Sequence, residues 1–292
     1  GATRSAVIDF LQATDEIPNG RRVAVFDNDG TLWSEKPRYT QLDFFVWELR
    51  RAVEHRPTLA SVPEYAAVLG GDTAEIQDMG LPRVALALVA LFESMEPEQF
   101  EARVRAFFEE TRHPDSGLRY DEMVYQPMLE LMQALEDRGF TYCIVTGGGT
   151  EFVRAISRRV YGVEQERVVG TLVGYTLADR EGRRVLVRTN RVEGEANEAE
   201  AKISNIQMAL GRQPSLAAGN SAGDAAMLEY TNSLDGPSLA LLVNHDDAER
   251  EYAYRSEAGT FKAEEAVEDT ATRLGWTLIS MQEDWATVFP HS

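Results

Sequence analysis

The chain has 292 residues, 43% of them hydrophobic, which is enough for one large domain or for a core with a smaller inserted domain. A formal net charge of −19 would repel nucleic acid and anionic membrane surfaces, so neither is expected as a partner. A small anionic substrate stays compatible, because a metal ion and a few donors can set the field inside one cleft. No apolar stretch approaches the roughly 20 residues of a membrane span, and no signal peptide is visible. We expect a cytoplasmic protein, although the chain begins with Gly1 and a secretion signal could have been removed.

Short apolar runs along the chain predict strands that are buried on both faces. Each run is too short for a helix, lacks alternation and precedes turn residues. The runs are Val23–Phe26, Thr141–Val145, Ser215–Ala218 and Leu239–Val243. Segments with helical periodicity lie between these runs, at Pro127–Leu135, Phe152–Val160 and Ala201–Leu210. This alternation predicts an α/β fold with an open parallel sheet, whose ligand site lies at the carboxyl ends of the strands.

Two segments depart from the alternation. From about Tyr39 to Tyr120, apolar residues recur every three or four positions between proline and glycine breaks, which predicts an all-helical insertion after the first core strand. The second segment, Gly170–Arg188, places two apolar stretches around the turn Asp179–Gly182. This pattern predicts a β-hairpin.

Two carboxylates, Asp27 and Asp29, follow the first strand directly. At this spacing both side chains can face one pocket if the chain turns, and Gly30 permits the turn. An Asp-Gly turn with solvated carboxylates is the alternative. A calcium loop is excluded, because Leu32 occupies the place of its sharp-turn glycine and Arg38 the place of its last acidic ligand.

Three further features lie near later strand ends. Thr146 and Gly147 begin a glycine run, where main-chain amides at a helix N-terminus and a hydroxyl would bind an anion; a flexible turn is the alternative. Asn220 and Asp224 offer oxygen ligands to a hard cation, or else cap a helix. Lys202 lies on the helix before them, at a kind of position where lysine is usually solvated.

In this order, the features resemble the haloacid dehalogenase superfamily, and more closely its phosphoserine-phosphatase-like branch. The similarity covers roughly residues 21 to 243, and its most specific segments are Asp27–Leu32 and Gly219–Asp224. The resemblance implies an α/β fold with a Rossmann-like open parallel sheet flanked by helices, and an inserted all-helical cap domain. Residues 1–36 and 121–292 would form the catalytic core, with the hairpin near 170–188, and residues 37–120 the cap.

The resemblance also implies a role for each matching residue. Asp27 would be the nucleophile and Asp29 the general acid and base. The residues expected to bind the phosphoryl group are Thr146, Gly147 and Lys202. Those expected to hold Mg²⁺ are Asp27, Asp29 through its main-chain carbonyl, Asp224 and Asn220. Many relatives carry Asp where Asn220 stands, so Asp224 is the preferred ligand of that pair.

The implied activity is hydrolysis of a small phosphorylated metabolite through an aspartyl-phosphate intermediate with Mg²⁺. Three alternatives stay open. A carbon–halogen hydrolase would not need Asp29, a phosphonatase would use a cap lysine such as Lys36 for a Schiff base, and a catalytically silent phospholigand-binding protein would be expected to have lost a catalytic residue.

Other residues near the motifs have expected structural roles. Trp33 is expected to pack at a hinge, and Glu35 and Arg38 to form surface salt bridges. His245 is a candidate for the lining of the cleft.

Overall fold

The computed structural model describes residues 1–255 and 265–290. Its strands are β1 (Val23–Phe26), β2 (Thr141–Gly149), β3 (Val168–Arg180), β4 (Arg183–Glu193), β5 (Leu216–Gly219), β6 (Leu239–Asn244) and β7 (Thr277–Ser280). In the described ranges they form one sheet in the order β4-β3-β2-β1-β5-β6-β7. Neighbours pair in parallel, except that β3 and β4 form the antiparallel hairpin predicted from the sequence. The predicted α/β fold with a mostly parallel open sheet is confirmed.

The helices flank this sheet and also fill the predicted insertion. They are α1 (Ala2–Ala13), α2 (Thr40–His55), α3 (Pro63–Gly70), α4 (Thr73–Met79), α5 (Leu81–Ala90), α6 (Pro97–Glu110), α7 (Gln126–Glu136), α8 (Thr150–Tyr161), α9 (Glu200–Leu210), α10 (Ala225–Asn232), α11 (Val267–Leu274) and α12 (Met281–Asp284). Over the same ranges, none of these helices is long and apolar enough to cross a bilayer.

Strand β1 shows how the sheet is covered on both faces. All four of its residues are buried, and their side chains alternate between two apolar clusters. Ala24 and Phe26 face one cluster, which includes residues of α1, α7 and α8. Val23 and Val25 face the other, which includes residues of α9, α10 and α11. Since both faces are apolar and covered, polar side chains collect where the strands end.

Helices α2 to α6 lie between β1 and β2 in the sequence and pack partly on their own apolar cluster. Aromatic rings connect them to the sheet domain. The ring centroids of Phe44 on α2 and Phe152 on α8 are 5.4 Å apart, and those of Phe108 on α6 and Trp33 are 5.9 Å apart. The helical insertion is therefore present and rests against the loop that follows β1. Its function as a cap stays a prediction.

Candidate active site

A tight turn at the carboxyl end of β1 carries both Asp27 and Asp29. The carbonyl of Asn28 accepts hydrogen bonds from the main-chain N–H groups of Thr31 and Leu32, at 3.2 and 2.8 Å. Gly30 has a φ of 73°, in the left-handed region that favours glycine. A Cβ added there would also lie only 2.7 Å from Cγ of Asn220, so the loop after β5 packs directly on this turn.

This packing predicts that Gly30→Ala lowers the free energy of unfolding by more than the backbone strain of a positive φ would by itself. Gly139 is the matched control, because its φ is also 73° but no atom lies within 4 Å of an added Cβ. We expect Gly139→Ala to cost about 1–2 kcal/mol of unfolding free energy. Gly30→Ala should cost roughly 1–3 kcal/mol more, since it overpacks the site. Urea unfolding measures both, and equal losses would contradict the packing argument.

Lys202 on α9 is the buried centre of the site. Its Nζ donates to Oδ1 of Asp27 and Oδ1 of Asp224, each at 2.6 Å, and to the carbonyl of Val145 at 3.0 Å. All three ammonium protons therefore have acceptors. Burial and the nearby Asp224 raise the pKa of Asp27, against the lowering influence of Lys202. Burial would lower the pKa of Lys202, but its two carboxylate partners outweigh burial and raise that pKa.

Both carboxylate oxygens of Asp224 take part in holding this arrangement. While its Oδ1 accepts from Lys202, its Oδ2 accepts from the main-chain N–H groups of Asn220 and Ser221, both at 3.0 Å. Oδ1 of Asp224 accepts only the bond from Lys202 and keeps a second lone pair that could face a cation. The side-chain oxygen of Asn220 accepts only a longer bond, 3.3 Å, from the Thr31 hydroxyl. The side-chain oxygen of Asn220 is thus less engaged than the carboxylate of Asp224, and the preference for Asp224 as the ligand stays a prediction.

Asp29 is held by a tryptophan that the sequence assigned to hinge packing. The indole N–H of Trp33 donates to Oδ1 of Asp29 at 2.9 Å, and the Asn28 amide donates to Oδ2 at 3.4 Å. Burial raises the pKa of Asp29, although these two hydrogen bonds lower it in part. A carboxyl group with a raised pKa suits a general acid. Trp33 also stacks on Phe108, so it packs as expected and contacts the candidate acid as well.

The glycine run lies at the end of β2 and leads directly into α8, whose N-cap is Gly149, so it opens a helix as predicted. Strand β2 continues through a bulge to Gly149, which pairs with Thr171 of β3, and α8 begins only at Thr150. The N–H of Gly148 donates to the Thr146 hydroxyl at 2.9 Å, and the N–H of Gly149 donates to the Gln41 side chain at 2.8 Å. Pairing with β3 extends the strand, so the run offers a bulged strand end instead of a row of free helical amides.

A buried pair formed by His245 and Glu251 supports the turn after β1. His245 is 2% exposed, and its Nε2 lies 2.8 Å from the carbonyl of Gly30. Its Nδ1 lies 3.2 Å from Glu251, whose carboxylate also accepts from Ser34 at 2.5 Å and Tyr125 at 3.0 Å. Burial would raise the pKa of Glu251, but the contacts with His245 and Ser34 outweigh it and lower the pKa. Glu251 left no signal in the sequence, because it lies in a loop without any motif.

The surface role expected for Glu35 is wrong. Glu35 is 6% exposed, because the chain after β1 folds inward beneath the loop that carries Asn220. Its carboxylate lies 3.8 Å from the ammonium of Lys36, which also lies 4.2 Å from the centre of the Tyr254 ring. Arg38 does form an ion pair with Asp43, at 2.5 Å.

The oxygen atoms at this end of the sheet are suited to a hard divalent cation. They include the carboxylate of Asp27, the side-chain oxygen of Asn220 and the main-chain carbonyl of Asp29, the kinds of donor that Mg²⁺ accepts. Across residues 1–255 and 265–290, no group of three or more His, Cys, Asp or Glu side chains is arranged to hold a metal. Mg²⁺ is compatible with this finding, since one or two carboxylates and several waters usually bind it.

Comparison with known proteins assigns the family. A protein of unknown function from Bordetella pertussis Tohama I is 19% identical, with a TM-score of 0.55 over 89% of this chain and 98% of that one. A functionally unknown protein from Anaerococcus prevotii DSM 20548 is 15% identical, with a TM-score of 0.54 over 94% and 90%. These similarities support the fold alone, and no curated protein matches. The family model for haloacid dehalogenase-like hydrolases matches residues 24–229, which is most of the chain. The protein therefore belongs to the haloacid dehalogenase-like hydrolases.

Proposed function

We propose that the protein is a Mg²⁺-dependent phosphomonoesterase, which hydrolyses a small phosphorylated metabolite through a phosphoryl group carried on Asp27. The observation that supports this most is the position of Lys202, whose ammonium lies 2.6 Å from Oδ1 of Asp27 at the end of the central strand. A carboxylate nucleophile and a phosphate repel each other, and a buried cation at their meeting point reduces that repulsion. Membership of a hydrolase family is consistent with this chemistry.

The first step would transfer the phosphoryl group to the enzyme. Lys202 engages Oδ1 of Asp27, so Oδ2 would attack phosphorus while the bond from phosphorus to the leaving oxygen breaks. Asp29 would give its proton to that oxygen, releasing an alcohol. In the second step Asp29 would accept a proton from water as the water oxygen attacks phosphorus. The bond between phosphorus and Asp27 then breaks, which frees inorganic phosphate and restores both carboxyl groups.

The remaining contacts would bind the phosphate and the cation. The Thr146 hydroxyl accepts from Gly148, so its own proton can be donated to a phosphate oxygen, beside the main chain of Gly147. Asp27, the carbonyl of Asp29, and Asn220 or Asp224 would hold Mg²⁺. When bound, Mg²⁺ would neutralise charge on the phosphate and on Asp27.

The alternative activities have less support from the residues present. A carbon–halogen hydrolase leaves the half-buried, tryptophan-bound Asp29 without a chemical role. For phosphonate cleavage, the lysine would be Lys36, but its ammonium is engaged by Glu35 and the Tyr254 ring. A silent binding protein would be expected to have lost Asp27, Asp29 or Lys202, and all three are present and buried or half-buried.

Hydrolysis of p-nitrophenyl phosphate and of a panel of phosphorylated metabolites tests the proposal. We expect activity that disappears with excess chelator and returns with Mg²⁺. Ca²⁺ should replace Mg²⁺ poorly, because its larger coordination number allows it to bind both oxygens of Asp27 and to occupy the attacking one. Full activity in excess chelator would rule out the metal dependence. Inactivity toward every phosphoester, with the Mg²⁺-loaded protein folded, would rule out the phosphatase.

A further inference from the structure

Glu35 brings a further carboxylate to the loops that carry the candidate Mg²⁺ ligands. An added Cβ at Gly30 would lie 3.0 Å from Cδ of Glu35 and 2.7 Å from Cγ of Asn220, so both side chains meet over that glycine. The amide nitrogen of Asn220 lies 3.5 Å from Oε1 of Glu35. Asp29 is also close enough to influence the ionisation of Glu35. A carboxylate outside the recognised motifs therefore lies beside Asn220 and over the turn that carries Asp29.

The side chain of Asn220 adds an oxygen atom to this region but no charge. Asp27 and Asp224 share the single positive charge of Lys202, at 2.6 Å each. The negative charge of Asp224 is already paired with the Lys202 ammonium. With an amide at position 220, the loop after β5 thus supplies one neutral oxygen and one carboxylate that is already paired.

The partners of Glu35 do not fully balance its own charge. The Lys36 ammonium is 3.8 Å away on a side chain that is 35% exposed, and the Asn220 contact is at the limit of a hydrogen bond. Burial raises the pKa of Glu35, as does Asp29, while Lys36, His245 and the Tyr254 hydroxyl lower it. A buried carboxylate with weak partners is costly, and a cation beside it would offset that cost.

We propose that Glu35 supplies to the bound Mg²⁺ the negative charge that position 220 lacks in this protein. The inference rests on the proposed function, since Mg²⁺ is the cofactor of that reaction. Asn220 then provides a neutral oxygen, and Glu35 provides the charge from the opposite loop. Compared with a site that carries Asp at position 220, the carboxylate would come from the loop after β1 and the total number of carboxylates would be unchanged.

Mn²⁺ binding without substrate tests this directly, because the free ion is measured by electron paramagnetic resonance and no turnover is needed. Glu35→Gln should weaken Mn²⁺ binding by about 10- to 100-fold, the usual effect of removing a residue that supports a metal. The decisive variant is Glu35→Gln combined with Asn220→Asp, which returns a carboxylate to the site and should restore most of the affinity. Glu48→Gln is the matched control, since Glu48 is a buried carboxylate on α2 paired with Arg103.

Thermal unfolding separates a metal role from a structural one. Without metal, Glu35→Gln should be as stable as the wild type or more stable, because a weakly paired buried charge is removed. The rise in melting temperature on adding Mg²⁺ should shrink. Mn²⁺ affinity within twofold of wild type in Glu35→Gln, or no recovery in the double variant, would overturn the inference. Metal-dependent phosphatase activity would then still stand, whereas loss of all metal binding by the wild type would overturn both.

Discussion

Asp27→Asn is expected to abolish turnover of every phosphoester, while Asp29→Asn should discriminate between leaving groups. Asp27 forms the bond to phosphorus, and an amide cannot replace its attacking oxygen. Asp29 protonates the departing oxygen, which an alkyl alcohol requires but a nitrophenolate, already a stable anion, hardly needs. Asp29→Asn should therefore slow phosphorylation by alkyl phosphates far more than by p-nitrophenyl phosphate.

Rapid-mixing kinetics measures this difference. In Asp29→Asn the second step still lacks its base, so p-nitrophenyl phosphate should give a burst of nitrophenolate followed by slow turnover. The Asp27→Asn protein is the control and should give no burst. If Asp29→Asn loses equal activity toward both substrates and shows no burst, its carboxylate positions other groups and does not transfer protons.

Lys202→Met is expected to reduce both stability and activity, for one electrostatic reason. Removing the ammonium leaves Asp27 and Asp224 buried close together without a counter-ion. Breaking a buried ion pair in this way costs about 3–5 kcal/mol of unfolding free energy. The transition state also loses a cation beside the phosphoryl group, so kcat/KM should fall by at least about 100-fold. Urea unfolding and steady-state kinetics measure the two losses.

A double variant separates these two consequences. Lys202→Met with Asp224→Asn removes one of the stranded charges, so part of the lost stability should return while the activity stays low. Lys202→Arg should also lose most activity, because a planar guanidinium cannot reach three acceptors as a compact ammonium does. A Lys202→Met protein with kcat/KM within about threefold of wild type would show that this lysine has no part in catalysis.

The sheet could be predicted from the sequence because buried parallel strands leave a simple signal. Val23–Phe26 is apolar throughout since both faces of the central strand are covered, and the structure reproduces those bounds. Strand β7 left a weaker signal, because Leu278 is 39% exposed and the strand has no turn motif after it. The bulge that extends β2 to Gly149 depends on pairing with β3, which periodicity along one segment does not encode.

The site was predicted only where its residues belong to motifs. The nucleophile and acid positions, Asp27 and Asp29, follow a strand, and their place at its end is a local property. Glu35 and Glu251 reach the same region by folding of distant loops, so their burial depends on tertiary structure. The hydrogen bonds of Asn220 and Asp224 have the same origin, because only the structure shows which of their side-chain oxygens already have donors.

The two contacts of Trp33 connect the position of the helical insertion with the candidate proton donor. One edge of the indole holds Asp29 through its N–H, and the face of the ring stacks on Phe108 of α6 at 5.9 Å. A rigid side chain of this kind transmits a displacement from one neighbour to the other. Movement of α6 by an ångström would lengthen or bend the hydrogen bond at Asp29, and would change how readily that carboxyl group gives up its proton. The acidity of Asp29 thus depends on how closely α6 packs against Trp33.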